Sequence, residues 1–157
     1  MKPLVVYYSR TGNTGMVAEA LADMLSCPAE GIVDTQKRSG LVGWLRSGKQ
    51  AARGETTDLA PLEHDLAGFD LVVIGTPVWA GTMSTPVKSF LEMHRDSLPE
   101  VAFFCTAGGD NTAQTFADMQ ACCGREPVAR LAVSRKMIKK EGWRPAVERF
   151  AGEVQDD

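Results

Sequence analysis

Short runs of consecutive apolar residues alternate along the chain with segments in which apolar residues recur every three or four positions. The short runs are rich in β-branched and aromatic residues, which is typical of strands buried on both faces of a sheet. The segments between them have the apolar spacing of helices. This alternation predicts an α/β fold in which helices cover both faces of a parallel sheet. The predicted strands lie at residues 4–8, 31–33, 71–74, 101–105 and 128–133.

The connections between these elements are short except for the segment between residues 34 and 70. Apolar residues in this segment predict an additional helix before a polar stretch, namely Leu41, Val42, Trp44, Leu45 and Ala52. The sequence has no internal repeat and no linker composition. A chain of 157 residues has the usual length of one domain, so we expect a single domain over residues 1–157.

Composition excludes several classes of protein. The chain has 17 basic and 20 acidic residues, a net charge of -3 and 44% hydrophobic residues, unlike a disordered protein. Its four cysteines are too sparse for a disulfide scaffold. No apolar run approaches the roughly 18 residues that span a bilayer, and no signal peptide is apparent. We therefore expect a cytoplasmic protein with no membrane span and no nucleic-acid partner.

Charge is unevenly distributed along the chain. Residues 130–144 contain six basic side chains and one acidic side chain. We interpret this run as the solvated surface of a strand end and a helix start. The alternative is a docking patch for an acidic partner or a phosphorylated substrate.

Three unusual loops follow the first, third and fourth predicted strands, where open parallel sheets bind ligands. The first loop, SRTGNT, combines three hydroxyls, a carboxamide and consecutive backbone N–H groups at a predicted helix N-terminus. These donors and the helix dipole favour a bound phosphate. A helix cap is the simpler interpretation, but it requires only one such residue.

The second loop, GTPVWAGT, follows the third strand at residues 75–82, and the third, TAGGDN, occupies residues 106–111. Pro77 stiffens the second loop, and Trp79 either packs in the core or covers a flat aromatic ligand. The position of Trp79 at the carboxyl edge of the sheet favours the ligand. The small residues of the third loop leave room at the same edge. No histidine or cysteine has metal-ligand spacing, so we expect no metal site.

SRTGNT after strand one, GTPVWAGT after strand three and CTAGGDN after strand four resemble the flavodoxin family, which binds FMN. The resemblance covers essentially the whole chain. It implies a three-layer, doubly wound, five-stranded parallel sheet with the strand order 2-1-3-4-5. It also implies that the FMN phosphate is held by Ser9, Arg10, Thr11, Gly12, Asn13 and Thr14. The isoalloxazine would be bordered by Pro77, Val78, Trp79, Ala80, Gly81 and Thr82, and on its other side by Thr106, Ala107, Gly108, Gly109 and Asp110.

The resemblance implies low-potential electron transfer between redox partner proteins, with no catalytic acid or base. Many flavodoxins, however, place an aromatic residue in the third loop, where this chain has Ala107, Gly108 and Gly109. Short electron carriers are also commonly more acidic than this chain. An uncovered flavin would admit a nicotinamide or a quinone, so the alternative is an NAD(P)H-dependent quinone or flavin reductase, as a monomer or a homodimer. A binding module without flavin is the third class, and the SRTGNT loop argues against it.

Overall fold

The computed structural model describes residues 1–35 and 40–156, and in helix α2 it does not describe the side chains of Leu41 and Trp44. The strands are β1 (Pro3–Tyr7), β2 (Ala29–Gly31), β3 (Leu71–Trp79), β4 (Thr82–Met83), β5 (Glu100–Ala107) and β6 (Arg130–Ser134). The helices are α1 (Asn13–Leu25), α2 (Gly40–Arg53), α3 (Thr85–His94), α4 (Ala113–Cys123), α5 (Arg135–Lys139) and α6 (Arg144–Asp156). A short 3₁₀ helix, Leu66–Gly68, precedes β3. No helix in these ranges is long and apolar enough to cross a membrane.

Five of the strands form one parallel sheet in the order β2-β1-β3-β5-β6. Counting only these five, the order is 2-1-3-4-5, as the resemblance implied. The sixth strand, β4, is a two-residue antiparallel addition to the end of β3. The carboxyl ends of the parallel strands therefore meet at one edge of the sheet, and the three loops singled out in the sequence follow three of those ends.

Two apolar clusters, one on each face of the sheet, give the molecule its three layers. On one face Val17 of α1 and Phe150 of α6 pack against side chains such as Phe104. On the other face α3 and α4 contribute Phe90 and Met119. Residues along β3 and β5 alternate between the two clusters, because successive side chains of a strand point to opposite faces.

The predicted element types are confirmed, but several boundaries differ. β2 lies two residues before its predicted position, and β6 ends at Ser134, one residue after its predicted end. The predicted helix in the long connection is α2. The largest difference is in β3, which continues through Gly75 and Pro77 to Trp79, although these two residues were expected to end it.

The far end of β3 is half of a hairpin rather than a loop. Val78 pairs with Met83 and Trp79 pairs with Thr82, leaving Ala80 and Gly81 as the two turn residues. Both have positive φ, 50° and 78°, as the tight turn that suits twisted strands requires. The hairpin extends β3 beyond its pairing with β1 and fixes Trp79 at the carboxyl edge of the sheet.

Gly75 allows β3 to continue because Phe104 of the neighbouring strand lies across it. A Cβ atom at position 75 would lie 1.9 Å from Cζ of Phe104, and three ring atoms would lie within 2.5 Å. Phe104 itself is completely buried, so its ring has no free space to move into. A side chain at position 75 would therefore displace β5 or the ring.

We predict that Gly75→Ala lowers the free energy of unfolding by roughly 3 kcal/mol, because it overpacks the core against Phe104. Denaturant unfolding measures this change. The matched control is Gly152→Ala in α6, where a Cβ meets nothing within 4 Å. That substitution should stabilise the helix by roughly 0.5–1 kcal/mol. Equal effects of the two substitutions would show that Phe104 does not constrain position 75.

Candidate functional site

A small hollow lies at the carboxyl edge of the sheet, between the ends of β1, β3, β5 and β6. We call it the central hollow; its volume is about 140 Å³. Its lining comes from all three predicted loops and from the segment after β6. The lining residues are Arg10, Thr11, Asn13, Thr14, Pro77, Val78, Trp79, Thr106, Ala107, Gly108, Arg135 and Ile138.

The start of α1 forms one wall of the central hollow and presents unpaired hydrogen-bond donors. Gly12 is the N-cap with φ 101°, a conformation that glycine adopts easily, and no side chain caps the helix. The first intrahelical bond is from the N–H of Met16 to the carbonyl of Gly12, so the N–H groups of the preceding turn have no partner within the helix. The Nε atom of Arg10 is also buried and has no hydrogen-bond partner in the described part of the chain. Such a helix end favours an anion.

A buried hydrogen bond joins this wall to the neighbouring one. The hydroxyls of Thr14 and Thr106 are 2.7 Å apart, and either can be the donor. Thr14 lies in the first turn of α1 and Thr106 near the end of β5. The contact holds the start of the helix against the end of the strand. A hydroxyl that accepts this bond keeps its own proton free to donate to a ligand.

Trp79 contributes both to the core and to the wall of the site. It is 8% exposed, and its ring meets Tyr8 edge to face with centroids 5.5 Å apart. It also lines a second cavity of about 320 Å³, the side hollow, whose walls include Leu45 and Lys49 of α2. Val78 and Trp79 line both cavities, so the wall of the central hollow continues into the side hollow.

Seven of the predicted site residues are not among those lining the central hollow: Ser9, Gly12, Ala80, Gly81, Thr82, Gly109 and Asp110. Two of them, Ser9 and Thr82, form side-chain hydrogen bonds instead. The hydroxyl of Ser9 accepts a 3.1 Å bond from the N–H of Gly12, and the hydroxyl of Thr82 donates to Asp118 of α4 at 2.6 Å. Gly81 and Thr82 instead line a separate cavity of about 680 Å³ beside α3 and α4.

Arg135 and Ile138 line the central hollow, although they were not among the predicted site residues. They were assigned to the basic run at residues 130–144, which we interpreted as solvated surface. The run does lie at the end of a strand, β6, and at the start of a helix, α5, and Arg135, Lys136 and Lys139 are all exposed. Arg135 differs from the two lysines because it also lines the central hollow. The signal in the sequence that could have pointed to Arg135 was the alternative interpretation, a docking patch for an acidic partner or a phosphorylated substrate.

Cys105 does not supply an ionised nucleophile beside the central hollow at neutral pH. Cys105, the residue before Thr106, is completely buried, and burial raises the pKa of its thiol to about 12. A thiol with this pKa stays protonated and unreactive near pH 7. The side chains lining the central hollow include no carboxylate, imidazole, amine or thiol. The arrangement therefore suits binding of a group that carries its own chemistry.

Solved structures share this fold closely. A flavoprotein from Bacteroides uniformis aligns with a TM-score of 0.79 and 21% identity over 96% of this chain and 97% of its own. A flavoprotein from Lactobacillus acidophilus, solved in complex with FMN, aligns with a TM-score of 0.73 and 23% identity over 88% of this chain and 97% of its own.

Curated relatives match a shorter part of the chain. Two proteins named NAD(P)H dehydrogenase (quinone), from Chromohalobacter salexigens and Nitrobacter winogradskyi, are 33% and 35% identical over 91 and 92 residues. These matches cover 57% and 58% of this chain and 45% of each relative, so the chain spans about half the length of the relatives that it matches.

The family assignment has a broader basis than these pairwise matches. A family model described as Flavodoxin domain matches residues 44–157, which include β3, the hairpin, β5 and β6. This match covers well over half of the chain and agrees with the order of the parallel strands. The chain therefore belongs to the flavodoxin domain family.

Proposed function

We propose that this chain binds FMN non-covalently at the central hollow and acts as a flavin-dependent redox protein. The observation that carries the proposal is the start of α1, where unpaired backbone donors and the buried Nε of Arg10 face the same hollow as Trp79. A phosphate and a flat aromatic ring are the two chemical groups that such walls suit. The FMN reported in the Lactobacillus acidophilus flavoprotein supports this choice.

The residues of the central hollow fit FMN chemically. The phosphate is placed at the α1 end, where Thr11 and Asn13 add side-chain donors to the backbone N–H groups. The flavin ring is larger than the central hollow alone, but the wall formed by Val78 and Trp79 extends into the side hollow. Among the side chains that the structure describes, Ala107 and Gly108 provide no aromatic cover on the opposite side.

FMN supplies the chemistry of one- and two-electron transfer, and the protein supplies binding and environment. Thr11, Asn13 and Arg10 hold the phosphate and so fix the orientation of the cofactor. Trp79 is kept in place by Tyr8 and excludes water from one side of the site. The described residues that line the central hollow include no carboxylate, imidazole or amine, and Lys49 supplies an amine on the wall of the side hollow.

For the use of the bound flavin we propose NAD(P)H-dependent reduction of a quinone. The relatives named NAD(P)H dehydrogenase (quinone) support this assignment, together with the uncovered side at Ala107 and Gly108. Low-potential electron transfer between protein partners is the second candidate. It is favoured by a structural neighbour from the Archaea that is named a flavodoxin and aligns over 99% of both chains with a TM-score of 0.56. A cytoplasmic location and a single domain over residues 1–157 remain predictions.

We predict that Thr11→Ala weakens FMN binding roughly 10- to 150-fold, because it removes a hydrogen bond to a charged phosphate worth about 1.5–3 kcal/mol. Quenching of flavin fluorescence during titration measures the dissociation constant. The control is Thr112→Ala at the N-cap of α4, whose side chain makes no capping bond and does not line the central hollow. Equal weakening by both substitutions would contradict the phosphate assignment.

We also predict that NADH or NADPH bleaches the FMN-loaded protein faster than it bleaches free FMN, and that a small quinone then restores the colour. Anaerobic stopped-flow absorbance at matched flavin concentration measures both steps. Bleaching no faster than that of free FMN would reject the reductase and favour the electron carrier. A chain that takes up no FMN would exclude both and leave the binding module.

A further inference from the structure

We propose that Arg135 is a second guanidinium ligand for the cofactor phosphate, so that the phosphate is held between the start of α1 and the segment after β6. This inference rests on the proposed FMN function. It assigns a role to a side chain that neither the three sequence loops nor the family match singles out. Its consequence is a strong preference for flavin phosphate over flavin without phosphate.

The pairing of β5 with β6 brings Arg135 to the same hollow as the residues at the start of α1. Thr106 near the end of β5 bonds to Thr14 in the first turn of α1 at 2.7 Å. The next residue of β5, Ala107, is paired with Ser134 at the end of β6. Arg135 follows Ser134 directly, so it is one strand away from the residue that contacts α1. This short path explains how Arg135 reaches a hollow that is also lined by Arg10.

The backbone that carries Arg135 is held in place by its neighbours. The hydroxyl of Ser134 accepts a 3.2 Å hydrogen bond from the N–H of Met137, which caps α5. Met137 and Ile138 pack against the apolar cluster beneath α6. Arg135 itself is exposed and forms no part of that packing. Its side chain is therefore presented from a fixed position without being needed for the core.

The charges of the central hollow favour an anion. Arg10 and Arg135 both line it, and no carboxylate does. Within residues 1–35 and 40–156 neither guanidinium takes part in an ion pair. The chain has a net charge of -3, so these two unpaired cations are a local exception to its overall charge. A phosphate dianion would balance the charge of both guanidinium groups, and such groups recognise phosphate through paired hydrogen bonds.

A direct contact with phosphate can be separated from the general effect of positive charge. Lys136 is the next residue along, is equally exposed and does not line the central hollow. Arg135→Ala and Lys136→Ala therefore remove the same charge from neighbouring positions. Riboflavin has the same ring and side chain as FMN but no phosphate. Its dissociation constant therefore reports only the contacts that the protein makes with the ring and side chain.

The experiment measures dissociation constants for FMN and riboflavin by fluorescence quenching, in the unmodified chain and in Arg135→Ala, Arg135→Lys and Lys136→Ala. We expect Arg135→Ala to weaken FMN binding roughly 10- to 150-fold, as for loss of a hydrogen bond to a charged group, and to leave riboflavin binding unchanged. The FMN dissociation constant of Arg135→Lys should lie between those of the unmodified chain and Arg135→Ala, because lysine keeps the charge but loses the paired hydrogen bonds. Lys136→Ala should change FMN binding less than threefold. Thermal unfolding of each unliganded variant confirms that all of them fold.

Two results would overturn the role of Arg135 while leaving the proposed function intact. One is equal weakening of FMN binding by Arg135→Ala and Lys136→Ala, which would mean that only long-range charge matters. The other is equal weakening of FMN and riboflavin binding by Arg135→Ala, which would place the contact away from the phosphate. Failure of the unmodified chain to bind FMN is a separate outcome, and it would reject the proposed function together with this inference.

Discussion

The hydrogen bond between Thr14 and Thr106 is the contact on which the geometry of the candidate site depends. Both hydroxyls are buried, and they join the first turn of α1 to the end of β5 across the edge of the sheet. A buried hydroxyl without a partner costs about 1–3 kcal/mol, so the two groups hold each other in place. The apolar packing of α1 fixes the helix as a whole against the sheet, and this hydrogen bond fixes its first turn against the end of β5.

The extension of β3 supplies the second fixed wall. β1 pairs with β3 only as far as Gly75, whereas β5 accompanies β3 to Pro77 and the hairpin begins at Val78. Pro77 is therefore at a point where one edge of the strand has no partner, which is where a strand tolerates proline. The result is a rigid segment, rather than a mobile loop, that carries Val78 and Trp79 into the site. A rigid wall keeps a bound ring in one orientation at a smaller cost in conformational entropy.

Much of this arrangement could be predicted from sequence because it depends on local patterns. Apolar runs located the five parallel strands, and the SRTGNT motif located the start of α1 as a donor-rich helix end. The course of β3 was mispredicted for a physical reason. Glycine and proline usually interrupt strands, which is why β3 was expected to end before Gly75. Here the ring of Phe104 occupies the space that a side chain at position 75 would fill, so the strand accommodates only glycine there. Such a close approach depends on a residue 29 positions away and leaves no local signal.

Arg135 was not predicted as a lining residue of the central hollow for a related reason. In the sequence it is one of six basic residues at 130–144, and nothing in their spacing distinguishes it from Lys136 or Lys139. Only the register of β6 against β5, with Ala107 opposite Ser134, shows which member of the run reaches the hollow. Long-range strand pairing thus determined the site residues that local motifs could not identify.

Charge placement connects these features to function. An overall negative chain repels an anionic cofactor at long range, but salt screens that repulsion beyond roughly 8 Å at physiological ionic strength. In the proposed phosphate site, the helix end and the two guanidinium groups would act on the phosphate at short range, and salt would screen the buried Nε of Arg10 least. On this proposal, a phosphate-bearing cofactor would bind tightly although the chain as a whole carries a net negative charge. Ala107 and Gly108 add no charge of their own to the lining, which suits the proposed approach of a neutral ring such as a quinone.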